Sequence, residues 1–389
     1  MKNNTVNRRQ FVTAVSSGSI AAIISNPLSS FGNETEQNDL AALITIQNEK
    51  WVEINNVIYG AKPDNRGPIG GGSGYTKMLT KGDITVTDLE SLIEGLKKAK
   101  AGQVVFIPGN TLIDMTTHIY IDELVLTVPA GVTLASDRGS KGSQGAIITS
   151  DTLKTPVMIK TGGPNVRITG LRIQGPNPKR YLEHHKKSFG SGPSYTDGLG
   201  SDYYYKFPTS NGVIAEHSDL EVDNCEISAF SLSGVGLNKG DGHNIHHNFI
   251  HKCQYNGLGY GVCLSGAFSL IEYNLFNENR HSIAGTGRPG EGYLARHNVE
   301  IGISLSHCFD MHGGRDRKDG TNIAGKSIEV YNNTFGPPNR AVVIRGVPEE
   351  KCEVHHNWFQ KHSDAKQAVG AEEKTKVFNN AYGTKPIVD

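Results

Sequence analysis

Five cationic or imidazole side chains and one carboxylate recur at intervals that a repeating chain would stack into one patch: His281, His307, Asp310, His312, Arg340 and Arg345, with Tyr260 one interval earlier. Residues of these types titrate near neutrality or bind anions, so together they suit proton transfer beside a negatively charged group. β-Elimination across a uronic acid needs three parts: a cation to neutralise the carboxylate and the enolate-like intermediate, a base for the C5 proton, and an acid for the leaving oxygen. Arg340 or Arg345 suits the first role, His281 or His307 the second, and Tyr260 or the other histidine the third. Asp310 would hold His307 or His312 in one tautomer. This chemistry needs no cofactor and no metal. The alternative is a divalent metal on His307-x-x-Asp310-x-His312 with His281 beside it, since zinc and other transition metals accept imidazole and carboxylate ligands.

A repeat positions these residues. From Leu220 onward one pattern returns as EVDNCEI, IHHNFI, IEYNLF, ARHNVEI, VYNNTF, VHHNWF and KVFNNAY, anchored on Asn224, Asn248, Asn274, Asn298, Asn333, Asn357 and Asn380. Successive intervals are 24, 26, 24, 35, 24 and 23 residues, and the long one holds a polar insertion at 313–322. Leucine-rich repeats share such a period, but no coil carries a helical stripe and the LxxLxL frame is absent. The apolar positions alternate over three or four residues, as short strands do. The fold class is therefore all-β: a single-domain parallel β-helix solenoid with coils about 4.8 Å apart. Asn at each turn is expected to take left-handed backbone geometry and bond its neighbours along the stack. Val104–Gly109, Leu124–Thr127, Gly131–Leu134 and Val166–Gly170 read as earlier coils, and Leu89–Ala101 as a short helix capping the N-terminal end.

Aligning the coils on the inward pairs Val235/Leu237, Val262/Leu264, Ile283/Gly285, Phe309/Met311 and Val342/Ile344 yields three outward columns. The first reads Ser233, Tyr260, His281, His307, Arg340; the second Asn238, Ser265, Thr286, His312, Arg345; the one between them Gly236, Cys263, Ala284, Asp310, Val343. Strict alternation would turn His307 and Asp310 to opposite faces, so the alignment requires a bulge or turn near Cys308. Two segments are expected to wall the patch. One is the polar stretch 176–208, with Lys179, Arg180, His184, His185 and Tyr204; the other joins Arg288–Tyr293 to Arg315–Lys318. With Arg280, the residues Lys179, Arg180, His184, His185, Tyr204, Arg288 and Arg315 are expected to bind substrate, rings against sugar faces and cations against carboxylates or sulfates.

The coil motifs from Asn55 to the C-terminus resemble the pectin-lyase-like superfamily of right-handed parallel β-helices. That resemblance implies an exported protein that cuts or rearranges polysaccharides. The chain departs from two branches of the superfamily. No cluster of acidic calcium ligands matches the calcium-dependent pectate lyases. No Asp-Asp pair is present, and Gly242-His243-Asn244 is a poor match to the polygalacturonase Gly-His-Gly. The first reading is thus a lyase acting on an acidic polysaccharide. The alternatives are an inverting hydrolase using Asp310 with Asp316, Asp319 or Glu291, or a non-catalytic carbohydrate-binding solenoid.

Composition narrows the setting. Formal net charge is zero, so nothing in the overall balance steers the chain towards nucleic acid. Asn7-Arg8-Arg9-Gln10-Phe11-Val12 resembles the twin-arginine export motif and precedes a small-residue stretch, Thr13–Ser25, too short and polar to span a bilayer. Residues 1–35 are accordingly expected to be an export signal and linker, and 36–389 the solenoid. The expected protein is a periplasmic or extracellular monomer. Its five cysteines lack disulfide-framework spacing and read as buried apolar residues.

Overall fold

Three apolar stretches in each coil become three strands, and each joins a different sheet. The computed structural model describes residues 50–389 apart from 178–181, 191–196, 256 and 303. In the coil that starts at Glu221, Glu221–Asp223 enters the first sheet, Glu226–Ser228 the second and Ser233–Leu237 the third. Repetition builds sheets of eleven, eleven and nine strands, paired in parallel except for the closing Ile387–Val388, which runs antiparallel to Ala381–Tyr382. Inward side chains line up from coil to coil. In the first sheet Val222, Ile245, Ile271, Ala295, Val330 and Val354 form one buried column. The parallel β-helix expected from the repeat is the fold observed. Among the described residues no helix is long and apolar enough to cross a membrane.

A ladder of buried asparagines sets the stacking. The Asn248, Asn274, Asn298, Asn333 and Asn357 backbone N–H groups each donate to the side-chain oxygen of the next asparagine along, at 2.9–3.0 Å. Each of those five side-chain amides donates both to that same oxygen and to a backbone carbonyl. Asp389 Oδ1 ends the ladder by accepting from the Asn380 N–H. Two sequence expectations change here. Asn224 is one position early, because Cys225 pairs with the ladder through Asn248. Left-handed backbone belongs to the residue before each ladder asparagine, such as His247, Tyr273, His297 and His356, and not to the asparagine itself.

Residues 51–77 are not coils, so the first solenoid strand is Ile84–Thr85 and not one near Asn55. Trp51–Ile54 and Val57–Gly60 form an antiparallel hairpin, and the chain then runs as a strap across the coils. Ala61 donates to Thr334, Gly70 to the Tyr273 carbonyl and Gly72 to Asn224. The strap lies so close that a Cβ on Gly71 would stand 2.3 Å from the His247 carbonyl, and its φ of +67° favours glycine. Leu89–Lys98 is the expected capping helix. An Asp88/Ser91 capping box starts it, and Leu89, Leu92 and Leu96 are buried over the first coil.

One acid stands inside the solenoid. Glu300 occupies the column Phe276, Glu300, Phe335, Phe359, Tyr382, fully buried, with only a weak contact from Ser282 to offset its burial. Burial pushes its carboxyl up to about 8. Because the folded state holds this proton longer than the unfolded chain, stability falls as pH rises from the ordinary Glu range through about 8. Thermal melts from pH 5 to 9 should show Glu300→Gln gaining on the parent as pH rises, and equal slopes would refute a buried neutral acid. Asn298→Ala removes an acceptor from two buried donors, and urea denaturation should show a loss of about 3 kcal/mol.

Candidate active site

The outward face of the third sheet carries the predicted patch. Pairing runs Val235–Val262–Ile283–Phe309–Val342, which reproduces the expected alignment, and the middle column Gly236, Cys263, Ala284, Asp310, Val343 follows from it. Ser233, Tyr260 and His281 are also paired. The bulge needed at Cys308 is present: the N–H groups of Cys308 and Phe309 both donate to the Ala341 carbonyl, and those of Ser282 and Ile283 both to the Cys308 carbonyl. Cys308 and Phe309 consequently both point into the core. That extra residue lets His307 and Asp310 share the outer face.

Asp310 is the centre of the arrangement and is entirely buried. Arg345 donates to it twice, Nε to Oδ1 at 3.1 Å and Nη2 to Oδ2 at 2.5 Å. His312 Nε2 lies 3.1 Å from Oδ2, His307 Nε2 3.0 Å from Oδ1, and His281 Nε2 3.9 Å from Oδ2. Burial alone would raise the Asp310 carboxyl, but the imidazoles of His307 and His312 hold it well below the usual carboxylate range. Arg345 and His312 reach outward to a second carboxylate, Asp316, at 3.3 and 3.4 Å. Asp316 stands on the short helix Gly314–Arg317 inside the 313–322 insertion. No coil register applies to that insertion, so its position does not follow from the repeat.

Above Asp310 the rings continue. Tyr260 stacks on His281 at 5.8 Å and 13°, and His281 meets His307 at 4.2 Å. His281 is fully buried, and its Nδ1 donates to the His307 carbonyl at 2.7 Å. Burial, reinforced by Arg280 and His307, pushes its imidazole well below the ordinary range, so it is neutral. Burial also drives the Tyr260 phenol up to about 12, against the pull of Arg280. Arg280 lies between the rings of Phe189 and Tyr260, at 4.9 and 5.7 Å, and its Nη1 is 3.4 Å from the Tyr260 hydroxyl. Phe189 ends the helix Leu182–Phe189 of the long insertion and stacks on Tyr204. Tyr204 lies in the field of both Arg280 and Arg345, which oppose the upward push of burial on its phenol. One wall of the cleft is thus aromatic, as expected, but sequence inspection passed over Phe189.

Other expected residues lie elsewhere. His281 cannot meet a substrate directly, being buried with Nδ1 committed. Arg340 turns to the next coil and donates to the Lys366 carbonyl. His184 packs against Tyr203, Phe207 and Tyr255, and buried His185 against Phe189, so both build the insertion. Arg315 pairs with Glu372, and Arg288 is exposed on a turn that Glu291 holds by its backbone N–H. Lys179, Arg180 and the twin-arginine segment lie outside the described residues. Of the carboxylates proposed for hydrolysis, Glu291 is buried and accepts from Gly266, Thr286 and Gly287, while Asp319 binds Arg317 and Thr321. Asp310 is sealed, so Asp316 is the one member of the set that stands on the Asp310 face with part of its surface open. The two-carboxylate arrangement of a hydrolase therefore lacks its pair.

Two groups among the described residues bring metal-capable atoms within 4.8 Å of one another: His281, His307 and Asp310, and, on the first sheet, Glu221, Asp223 and His246. In the second group Arg167, Tyr75 and Thr169 all bond Asp223, and His246 and Arg167 flank Glu221. Ordinary hydrogen bonds already account for it.

The right-handed β-helix region family matches residues 205–381, the stretch that holds the Asp310 cluster. No curated protein matches the chain. Two solved structures, the PL6 family alginate lyase AlyGC and an arginine-to-alanine mutant of it, align over 77% of this chain and 51% of theirs. Identities are 14% and 13%, with TM-scores of 0.31 and 0.29. The chain thus spans about half the length of those enzymes. The Asp310 hub makes its own prediction. Asp310→Ala strands a guanidinium and two imidazoles and should cost about 3 kcal/mol or more. Arg345→Ala, which leaves Asp310 its imidazoles, should cost clearly less, and equal losses in parallel denaturation curves would contradict the hub.

Proposed function

We propose that this face is the active site of an exported polysaccharide lyase that cleaves a uronic-acid-containing polymer by β-elimination. The observation that carries the reading is the sealed Asp310 carboxylate presenting Arg345 to the cleft with imidazoles on either side, beneath an aromatic wall. Arg345 is the cation for the substrate carboxylate. Its side chain is 29% exposed and its guanidinium is fixed from behind by Asp310, so little reorganisation is needed as charge develops on the intermediate. Tyr260 keeps its proton at neutral pH and is the acid for the leaving oxygen, with Arg280 beside its hydroxyl. The C5 proton passes to the imidazole edge, either to His307 or to a water beside it. Tyr204, backed by the stacked Phe189, offers a ring face to a neighbouring sugar. A hydrolase is disfavoured by the missing second carboxylate, and a passive binding surface by the concentration of titratable groups.

The test is the product spectrum on alginate, glucuronan, pectate and sulfated uronate polymers. Elimination leaves a C4–C5 double bond conjugated to the carboxylate, so far-ultraviolet absorbance should rise on at least one polymer. Arg345→Ala should lower that rate at least about 100-fold with the melting curve largely kept. Tyr260→Phe should do likewise. New reducing ends without absorbance would replace elimination by hydrolysis. Export through the Arg8-Arg9 motif is part of the same proposal, and intact-mass measurement of natively exported protein should find a chain beginning after about residue 30.

A further inference from the structure

The two innermost imidazoles of the cluster have a property that proton transfer does not require. His281 Nδ1 donates to the His307 carbonyl, which leaves Nε2 as a bare lone pair inside the protein. That Nε2 has no hydrogen-bond partner. His307 Nε2 is also buried and unpartnered: it lies 3.0 Å from Asp310 Oδ1 but is not aimed for a hydrogen bond to it. Two imidazole nitrogens without hydrogen-bond partners and a carboxylate oxygen thus converge within 4.8 Å, with Arg345 Nε already donating to that carboxylate oxygen from the other side. Buried polar atoms are nearly always satisfied, so a pair left open towards one point calls for a ligand.

We propose that His281 Nε2, His307 Nε2 and Asp310 Oδ1 hold one divalent transition-metal ion. The donor set, two imidazoles and one carboxylate, suits zinc or cobalt and not calcium, which takes oxygen ligands. Three protein ligands leave a fourth position open, the arrangement of reactive rather than structural zinc sites. The supporting contacts have the form that metal ligands need. A backbone carbonyl fixes the tautomer of His281, Ser306 Oγ lies 3.3 Å from His307 Nδ1, Arg345 braces both oxygens of Asp310, and His312 lies against Oδ2. The bulge at Cys308 is what brings His307 round to the same side as Asp310. Arg345 next to Asp310 weakens the attraction for a cation, so the affinity should fall short of that of a structural zinc site. The original His307-Asp310-His312 alternative is altered by this geometry: His312 has its nitrogens against Asp310 and Asp316, and His281 takes its place. The site shares His307 and Asp310 with the reaction proposed for this face, so metal binding is measured on its own, without any polymer.

The experiment uses the full chain, stripped with a chelator and titrated with cobalt(II), then zinc. The expected result is one equivalent of cobalt with visible d–d bands, displaced by zinc, and a melting temperature that rises with either metal. His281→Ala and His307→Ala should each lose the bands, while Glu221→Gln keeps them. If either histidine variant is unfolded by circular dichroism, elemental analysis of the parent as purified still decides: about one equivalent of zinc or a similar ion supports the site. An absence of bands and of any thermal shift at millimolar cobalt overturns it, as does binding that survives both folded histidine variants. Metal binding without absorbance on any uronate polymer would keep the site and remove the lyase reading; absorbance in a protein that binds no metal would do the reverse.

Discussion

Everything on the reactive face depends on vertical register, and the asparagine ladder fixes it. A parallel stack of short strands has little to prevent one coil sliding against the next, because any shift by two residues restores the inward pattern. The ladder removes that freedom. Each buried asparagine accepts from the coil before it and donates to a carbonyl there, so a slipped coil would bury several unsatisfied amides at about 1–3 kcal/mol each. With the turn fixed, the third strand of every coil begins at a fixed offset. Tyr260, His281 and His307 then stack as rings although 21 and 26 residues separate them. The 35-residue interval leaves this register intact because its surplus is looped out at 313–322, where it delivers Asp316 to the rim.

The second constraint is electrostatic. A sealed carboxylate is costly unless its neighbours satisfy it, and Asp310 is satisfied from the side that faces the cleft. Its partners, Arg345, His307 and His312, are each partly exposed, at 29%, 17% and 27%. Negative charge is therefore beneath the floor and positive charge at its surface. Such a floor holds the Arg345 guanidinium rigid at the cleft. Asp316 moderates the effect at the rim, which keeps Arg345 paired when no anionic ligand is present.

The solenoid was legible because each part of its signal is local. A period near 24, short apolar alternations and a repeated Asn are all visible in one reading of the chain, and the strand pairs chosen from them match the observed register. The turns depart from expectation by one residue for a simple reason. Asn224-Cys225 resembles the ladder but is shifted by one, and nothing in a single turn distinguishes the left-handed residue from the one after it. Arg340 shows the limit of column reasoning: Cα register placed it above His307, while its long side chain follows the next coil to Lys366. Asp316, Phe189 and the strap at 61–77 were hidden because their positions depend on contacts between distant segments, for which no periodicity exists.

Histidine content alone would have pointed to the wrong edge. The first sheet and the turns that follow its strands carry His243, His246, His247, His297, His355 and His356, twice the three imidazoles gathered around Asp310. There the rings serve as packing: His247, Tyr273 and His297 stack at 5.0 and 4.8 Å, as do Tyr331, His355 and Phe378 at 5.2 and 5.1 Å. Burial first, then neighbouring cations, pushes His247 and His297 down to about 4, so they remain neutral rings at physiological pH. What separates the two edges is where the nitrogens point. Along the first sheet they meet carboxylates such as Glu221 and Glu329 one at a time. Around Asp310 they converge, and among the described residues His281, His307 and Asp310 are the one group that joins two imidazoles to a carboxylate at metal-binding range. Convergence of this kind takes a bulge, a sealed acid and a neighbouring coil in register, which a count of residue types cannot register.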